Sequence, residues 1–255
     1  MIPVGDRLSR RSIPYVNVGI IVVNFLVFFY ELTLNTQAPF RGLSELDRWF
    51  YDWSAIPACI SDSLGLKPSV NPGALAVYCE PNHTLLAAFT SMFMHAGWLH
   101  ILGNMLFLWV FGDNVEDALG HVRYLVFYLI VGLAATATQI ALSMDSLVPG
   151  IGASGAIAGV MGAYLVMYPR ARIAVFMPLF FFLGAPYIPA AALIGIWFLM
   201  QLFTGVASLG QAAGSGVAWW AHVGGFLAGV VLVNLFRAGR RPRRQYYWRG
   251  RSWEE

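Results

Sequence analysis

Apolar residues crowd into six stretches of the chain, and polar residues collect between them. A helix needs about 20 predominantly apolar residues to cross a hydrocarbon layer of about 30 Å. Runs near that length occupy 14–34, 98–118, 122–144, 186–203 and 219–236, and a shorter one rich in glycine and alanine occupies 154–168. The pattern predicts a helix over each. The first run follows three arginines but ends in Phe28-Phe29-Tyr30 without a small-x-small cleavage site. It therefore reads as a retained helix and not as a signal peptide. Segment 35–83 carries acids, prolines and tryptophans, and its Arg48–Trp53 stretch reads as an interfacial anchor. Residues 84–94 predict a short helix leading into the second run. Stretch 173–183 is apolar but broken by Pro178 and followed by Gly184-Ala185-Pro186. It reads as a turn against the bilayer, the alternative being an early start of the fifth helix. Residues 204–218, rich in glycine, serine and alanine, read as a loop.

Composition narrows the class. Of 255 residues, 58% are hydrophobic and only 11% charged, and the mean hydropathy is +0.63. A soluble domain carries about 25% charged residues. The chain is too apolar for disorder and lacks the period-two alternation of a membrane barrel. An all-α polytopic membrane protein follows, with one helical membrane domain over 14–236. The two cysteines, Cys59 and Cys79, form no CxxC or Cys/His cluster, so no thiolate metal site is expected. Both fall in segment 35–83, where a disulfide is a candidate in an oxidising compartment and two free thiols are the alternative.

The net charge of +3 matters through its placement. Arg7, Arg10 and Arg11 precede the first run, Arg123 separates the second and third, Arg170 and Arg172 follow the fourth, and seven arginines follow the sixth. With six spans, these thirteen of 16 basic residues share one side, leaving Arg41, Arg48 and Lys67 on the other. The positive-inside rule then puts both termini in the cytoplasm. Residues 1–13 become a cytoplasmic segment, and 237–255 a basic tail expected to be disordered against anionic lipid. No basic stripe interleaves with stacking aromatics, so no nucleic-acid partner is expected. The absence of an internal repeat weighs against an inverted-repeat transporter.

Polar groups inside spans are costly and usually functional. Here they are few. His100 and Asn104 lie near the start of the second run, with His95 just before it; Ser154 opens the fourth, and His222 the sixth. Gln139 and Gln201 lie late in the third and fifth and read as polar fillers, Gln139 with a role in holding water. In a six-span topology all the even-numbered runs enter from the outer side, which brings these groups to one depth. A serine hydroxyl becomes a useful nucleophile when a base takes its proton, and His222 is the candidate base. His100, Asn104 and the Ser154 amide are candidate donors to a developing oxyanion. With no aspartate in the sixth run, the arrangement is a dyad. Gly155, Gly159 and Gly162 in the fourth run and Gly225 and Gly229 in the sixth are small residues at helical spacing, which would let these two helices approach closely.

Together, Gly-Ala-Ser-Gly (152–155), His95-x4-His100-x3-Asn104, Ala221-His222-x-x-Gly225-x-x-x-Gly229 and Phe111-Gly-Asp-Asn-Val-Glu-Asp117 resemble the rhomboid family of intramembrane serine proteases. The likeness runs from about Trp49 to Gly229. It implies a six-helix core, a Ser154–His222 dyad, and an oxyanion site of His100, Asn104 and the Ser154 amide supported by Gly152. It also implies no cofactor, no metal, and cleavage of single-span membrane proteins near the outer face, with membrane lipid as the other partner. The expected location is a bacterial cell membrane with the site facing outward. One position departs from the pattern. Ala158, four residues after the serine, stands where the family often has an aromatic against the histidine, so the packing that fixes the His222 ring must differ. The alternatives are a non-catalytic relative that binds membrane helices and, further off, a transporter. Asp113 and Glu116, at the other end of the second run, read as structural.

Overall fold

The computed structural model describes residues 2–37, 42–66, 68–79, 84–176, 186–208, 217–239, 247–249 and 252–254. Each of the six apolar runs forms a helix within a few residues of its expected limits. In chain order the described helices are α1 (Tyr15–Glu31), α2 (Glu45–Trp53), α3 (Pro57–Ser63), α4 (Pro72–Tyr78), α5 (Thr84–Thr90), α6 (Trp98–Leu119), α7 (His121–Leu142), α8 (Ser154–Met167), α9 (Ala190–Ser208) and α10 (Trp219–Phe236). Segment 35–83 is thus largely helical where described. Ser44 starts α2 with a capping box, its hydroxyl accepting from the Asp47 N–H while the Asp47 carboxylate accepts from the Ser44 N–H. A disulfide joins Cys59 on α3 to Cys79 at the end of α4. One 3-10 turn, Ser91–Phe93, follows α5, and the chain then bends by 86° into α6.

Helices α7, α9 and α10 are each long and apolar enough to cross a membrane, and α5 with α6 makes a fourth if the bent pair counts as one span. Helices α1 and α8 are shorter, with 17 and 14 residues. At about 1.5 Å per residue, α8 reaches only about 21 Å. Its environment compensates. Every residue from Gly155 to Tyr164 is buried, so α8 is walled by protein rather than lipid. The surrounding helices turn apolar side chains outward, among them Leu26, Leu99, Val126, Phe203 and Val231. A wide apolar exterior of this kind needs lipid or another apolar cover.

A three-stranded antiparallel sheet was not expected from the sequence: β1 (Ile2–Asp6), β2 (Arg172–Phe176) and β3 (Tyr187–Pro189), in that order. Residues 173–176 are therefore a strand, and neither a turn nor the head of the fifth helix; 177–183 lie outside the described residues. Pro3 and Pro189 fall on the two edge strands, where a missing N–H is tolerated. The loop read over 204–218 is also shorter, because α9 continues to Ser208; 209–216 lie outside the described residues. In the tail, β4 (Tyr247–Arg249) pairs antiparallel with β5 (Ser252–Glu254).

Candidate active site

Three helices begin at one end of the bundle, and each start carries a polar group. Helix α6 opens after Gly97 and holds His100 in its first turn and Asn104 one turn on. Helix α8 opens on Ser154, whose first-turn N–H groups have no intrahelical acceptor and carry the positive end of the helix dipole. Helix α10 opens at Trp219, with His222 in its first turn.

Close packing of α8 on α10 brings two of these groups together. Gly225 faces the Gly155 carbonyl, Gly229 faces the Gly159 carbonyl, and Gly162 faces the Phe226 carbonyl. A Cβ at any of the three would strike backbone, so the approach depends on glycine. On its other side α8 packs against Val131 and Ala135 of α7. The result is a hydrogen bond of 2.7 Å between Ser154 Oγ and His222 Nε2.

Gly152 connects this pair to α6. It has φ +116°, a backbone conformation suited to glycine, and donates its N–H to the Ser91 carbonyl at 2.8 Å. A Cβ on it would lie 2.7 Å from His100 Nε2 and 3.5 Å from Asn104 Nδ2. The two side chains therefore stand against the backbone two residues before Ser154. Asn104 is buried, and its Nδ2 has no hydrogen-bond partner among the described residues. A buried amide N–H left open beside a nucleophile is a donor available to a new acceptor. His95 packs its ring on His100 with centroids 4.9 Å apart. Its backbone N–H donates to Glu31 at the end of α1, while both its ring nitrogens lack partners among the described residues. A cavity of about 40 Å³ lies beside Ser154, lined by Ser91, Gln139, Gly150, Gly152 and Ala221 among others. A cavity of about 10–15 Å³ by this measure already holds one water, so there is room for water here. Gln139 Oε1 accepts from the Ala221 N–H, tying α7 to the start of α10.

Gln201, expected to be a polar filler, instead meets the histidine. It is 7% exposed, and its Oε1 lies 2.7 Å from His222 Nδ1. The signal was present: Gln201 lies late in α9, near the end of the bundle at which α10 begins with His222. Trp197 and Trp219 flank the His222 ring at centroid distances of 6.0 and 6.2 Å. Ala158 is fully buried.

The opposite end of the bundle is polar in a different way. Glu116 accepts from the N–H groups of Val16 and Asn17, capping α1, and contacts His121. Asp117 accepts from Ser12, and Asp113 pairs with Arg10 at 3.2 Å. Asp6 accepts from Tyr164, Asn114 and the Leu8 N–H. Burial nonetheless pushes its carboxyl up to about 6, against those hydrogen bonds and the Arg10 charge. No group of three or more metal-ligating side chains occurs among the described residues.

A profile of the Rhomboid domain matches residues 82–239. RHOMBOID-like protein 1 of Arabidopsis thaliana is 27% identical over 244 residues, 94% of this chain and 57% of that protein. The Presenilin-associated rhomboid-like protein, mitochondrial, of Bos taurus is 32% identical over 115 residues, 44% of this chain and 29% of that protein. Rhomboid protein 1, mitochondrial, of Saccharomyces cerevisiae is 30% identical over 150 residues, covering 55% and 39%. The chain thus spans between 29% and 57% of these relatives' lengths. Two are mitochondrial by name and one is from a plant, so they lend no support to the expected bacterial cell membrane. What stands is an integral membrane protein.

Proposed function

The chain belongs to the rhomboid family, and on that premise we propose that it is an intramembrane serine endopeptidase that cleaves single-span membrane proteins near the outer face of its membrane. The observation that carries this reading is the 2.7 Å bond from Ser154 Oγ to His222 Nε2, made beside an unpartnered buried amide at Asn104. His222 takes the Ser154 proton as the hydroxyl oxygen attacks the scissile carbonyl. The ring then gives that proton to the leaving amine, and a second cycle with water hydrolyses the acyl-enzyme. The Ser154 amide, Asn104 Nδ2 and His100 Nε2 donate to the oxyanion, and Gly152 supports them by letting His100 approach the chain. The cavity lined by Gln139 is the reservoir for the attacking water.

Six spans complete the reading, with α1 and α8 as the two short ones and both termini on the arginine-rich side. The disulfide between Cys59 and Cys79 then falls on the outer, oxidising side, as the site does. The test is cleavage of a single-span reporter in membranes by wild type and by Ser154→Ala. Loss of cleavage only in the variant is expected; equal cleavage by both would remove the assignment.

A further inference from the structure

We propose that Gln201 of α9 is a positioning residue for the general base, holding His222 in the one neutral tautomer that can take the serine proton. The inference rests on the serine-protease reading above and deepens it. A neutral imidazole carries one proton on two nitrogens. With the proton on Nε2, the ring would donate toward Ser154 Oγ and have no lone pair there to receive a proton. With the proton on Nδ1, Nε2 presents its lone pair to the Ser154 hydroxyl. An amide oxygen only accepts, and Gln201 Oε1 lies 2.7 Å from Nδ1. That contact is a hydrogen bond only in the second tautomer. The two bonds are therefore coupled through the ring: Nδ1–H to Gln201 on one side, Ser154 Oγ–H to Nε2 on the other.

The surroundings of Gln201 support a dedicated role. Apart from Gln201, only Thr204 and Ser208 on its helix are polar, and the other buried positions are Ala190, Leu193, Ile194 and Gly205. Burying an amide in such a helix is costly unless it is hydrogen-bonded. Trp197, one turn earlier on the same helix, contributes a wall to the ring. Ala158 on α8 offers only a methyl group, so both the orientation and one face of the imidazole come from α9. A neutral glutamine also avoids the cost of a buried carboxylate at membrane depth. The histidine thus has a second hydrogen-bond partner, beside Ser154, although α10 carries no acid.

Three variants test this: Gln201→Met, close in shape and without an acceptor; Gln201→Leu, should the methionine variant not fold; and Gln201→Glu, which restores an accepting oxygen. The first readout is the labelling rate of Ser154 by a fluorophosphonate probe in detergent micelles. The second is independent of activity: the 15N spectrum of the His222 ring in histidine-labelled protein, which distinguishes the two tautomers. Labelling is expected to fall about 10-fold or more in the methionine and leucine variants. The loss is smaller than the ~10⁴ seen when a triad carboxylate is replaced, because glutamine carries no charge. The glutamate variant recovers labelling, and the His222 spectrum moves away from the Nδ1–H form only in the two apolar variants. Wild-type rates with an unchanged tautomer in both apolar variants would overturn the proposal while leaving the protease reading intact. If the wild type itself shows no Ser154-dependent labelling, the protease reading fails, and the spectrum still decides whether Gln201 sets the tautomer.

Discussion

The two ends of the helix bundle spend their polar groups differently. At the end bearing the termini, Glu116, Asp117, Asp113 and Asp6 each accept bonds or pair with a cation, and the donors come from α1, the segment joining β1 to α1, α6 and α8. There a buried acid is a clamp. At the other end, among the described residues, the Asn104 amide nitrogen and both His95 ring nitrogens have no hydrogen-bond partner, and a cavity adjoins Ser154. Satisfied polar networks rigidify a fold; unsatisfied ones are tolerated where a ligand or a reacting atom completes them. Helices α6 and α8 run through both regions, so one pair of elements serves stability at one end and, in the proposed function, chemistry at the other.

Substitutions should separate the two ends. The largest effect is expected at Asn104→Ala: fluorophosphonate labelling or reporter cleavage falls about 100- to 1,000-fold, as for loss of one oxyanion donor. Its melting temperature in detergent stays at or above that of wild type, since an unpaired buried group has been removed. A marked drop in melting temperature would make Asn104 a structural link instead. Glu116→Ala should do the reverse. It strips the acceptor from two N–H groups of α1 and should cost about 2–3 kcal/mol of stability, with the labelling rate of the folded fraction unchanged. The smallest effect concerns pH. The Asp6 carboxyl is raised from 3.8 to about 6, so the folded protein holds this proton more tightly than the unfolded chain. Its contribution is complete below the unfolded value and fades as pH rises through about 6. Wild type should lose up to about 2 kcal/mol between pH 4 and 7 from this group. Asp6→Asn should flatten that part of the profile; an unchanged slope would place the dependence elsewhere.

Much of this was legible in the sequence because scarcity made it so. Long apolar runs specify helices by length alone, and in a chain this poor in charge each polar residue at a helix start stood out. The Ser154, His222, His100 and Asn104 positions and the glycines between α8 and α10 follow from that. The sheet did not. Ile173-Ala174-Val175-Phe176 is too short for its period to be read, and its partners are distant in sequence. Gln201 was visible yet unassigned, because its role depends on which face of α9 meets α10. Periodicity does not encode that in a helix apolar all round. The bend between α5 and α6 lies in the Met94–Gly97 linker, where no apolar pattern marks an angle.

The central claim is that Ser154 is a nucleophile activated by His222. The most direct measurement is fluorophosphonate labelling of the purified protein, followed by identification of the modified residue. The account predicts stoichiometric modification at Ser154, abolished in Ser154→Ala and strongly slowed in His222→Ala. No labelling of the folded wild type, or equal labelling of wild type and Ser154→Ala, would contradict it.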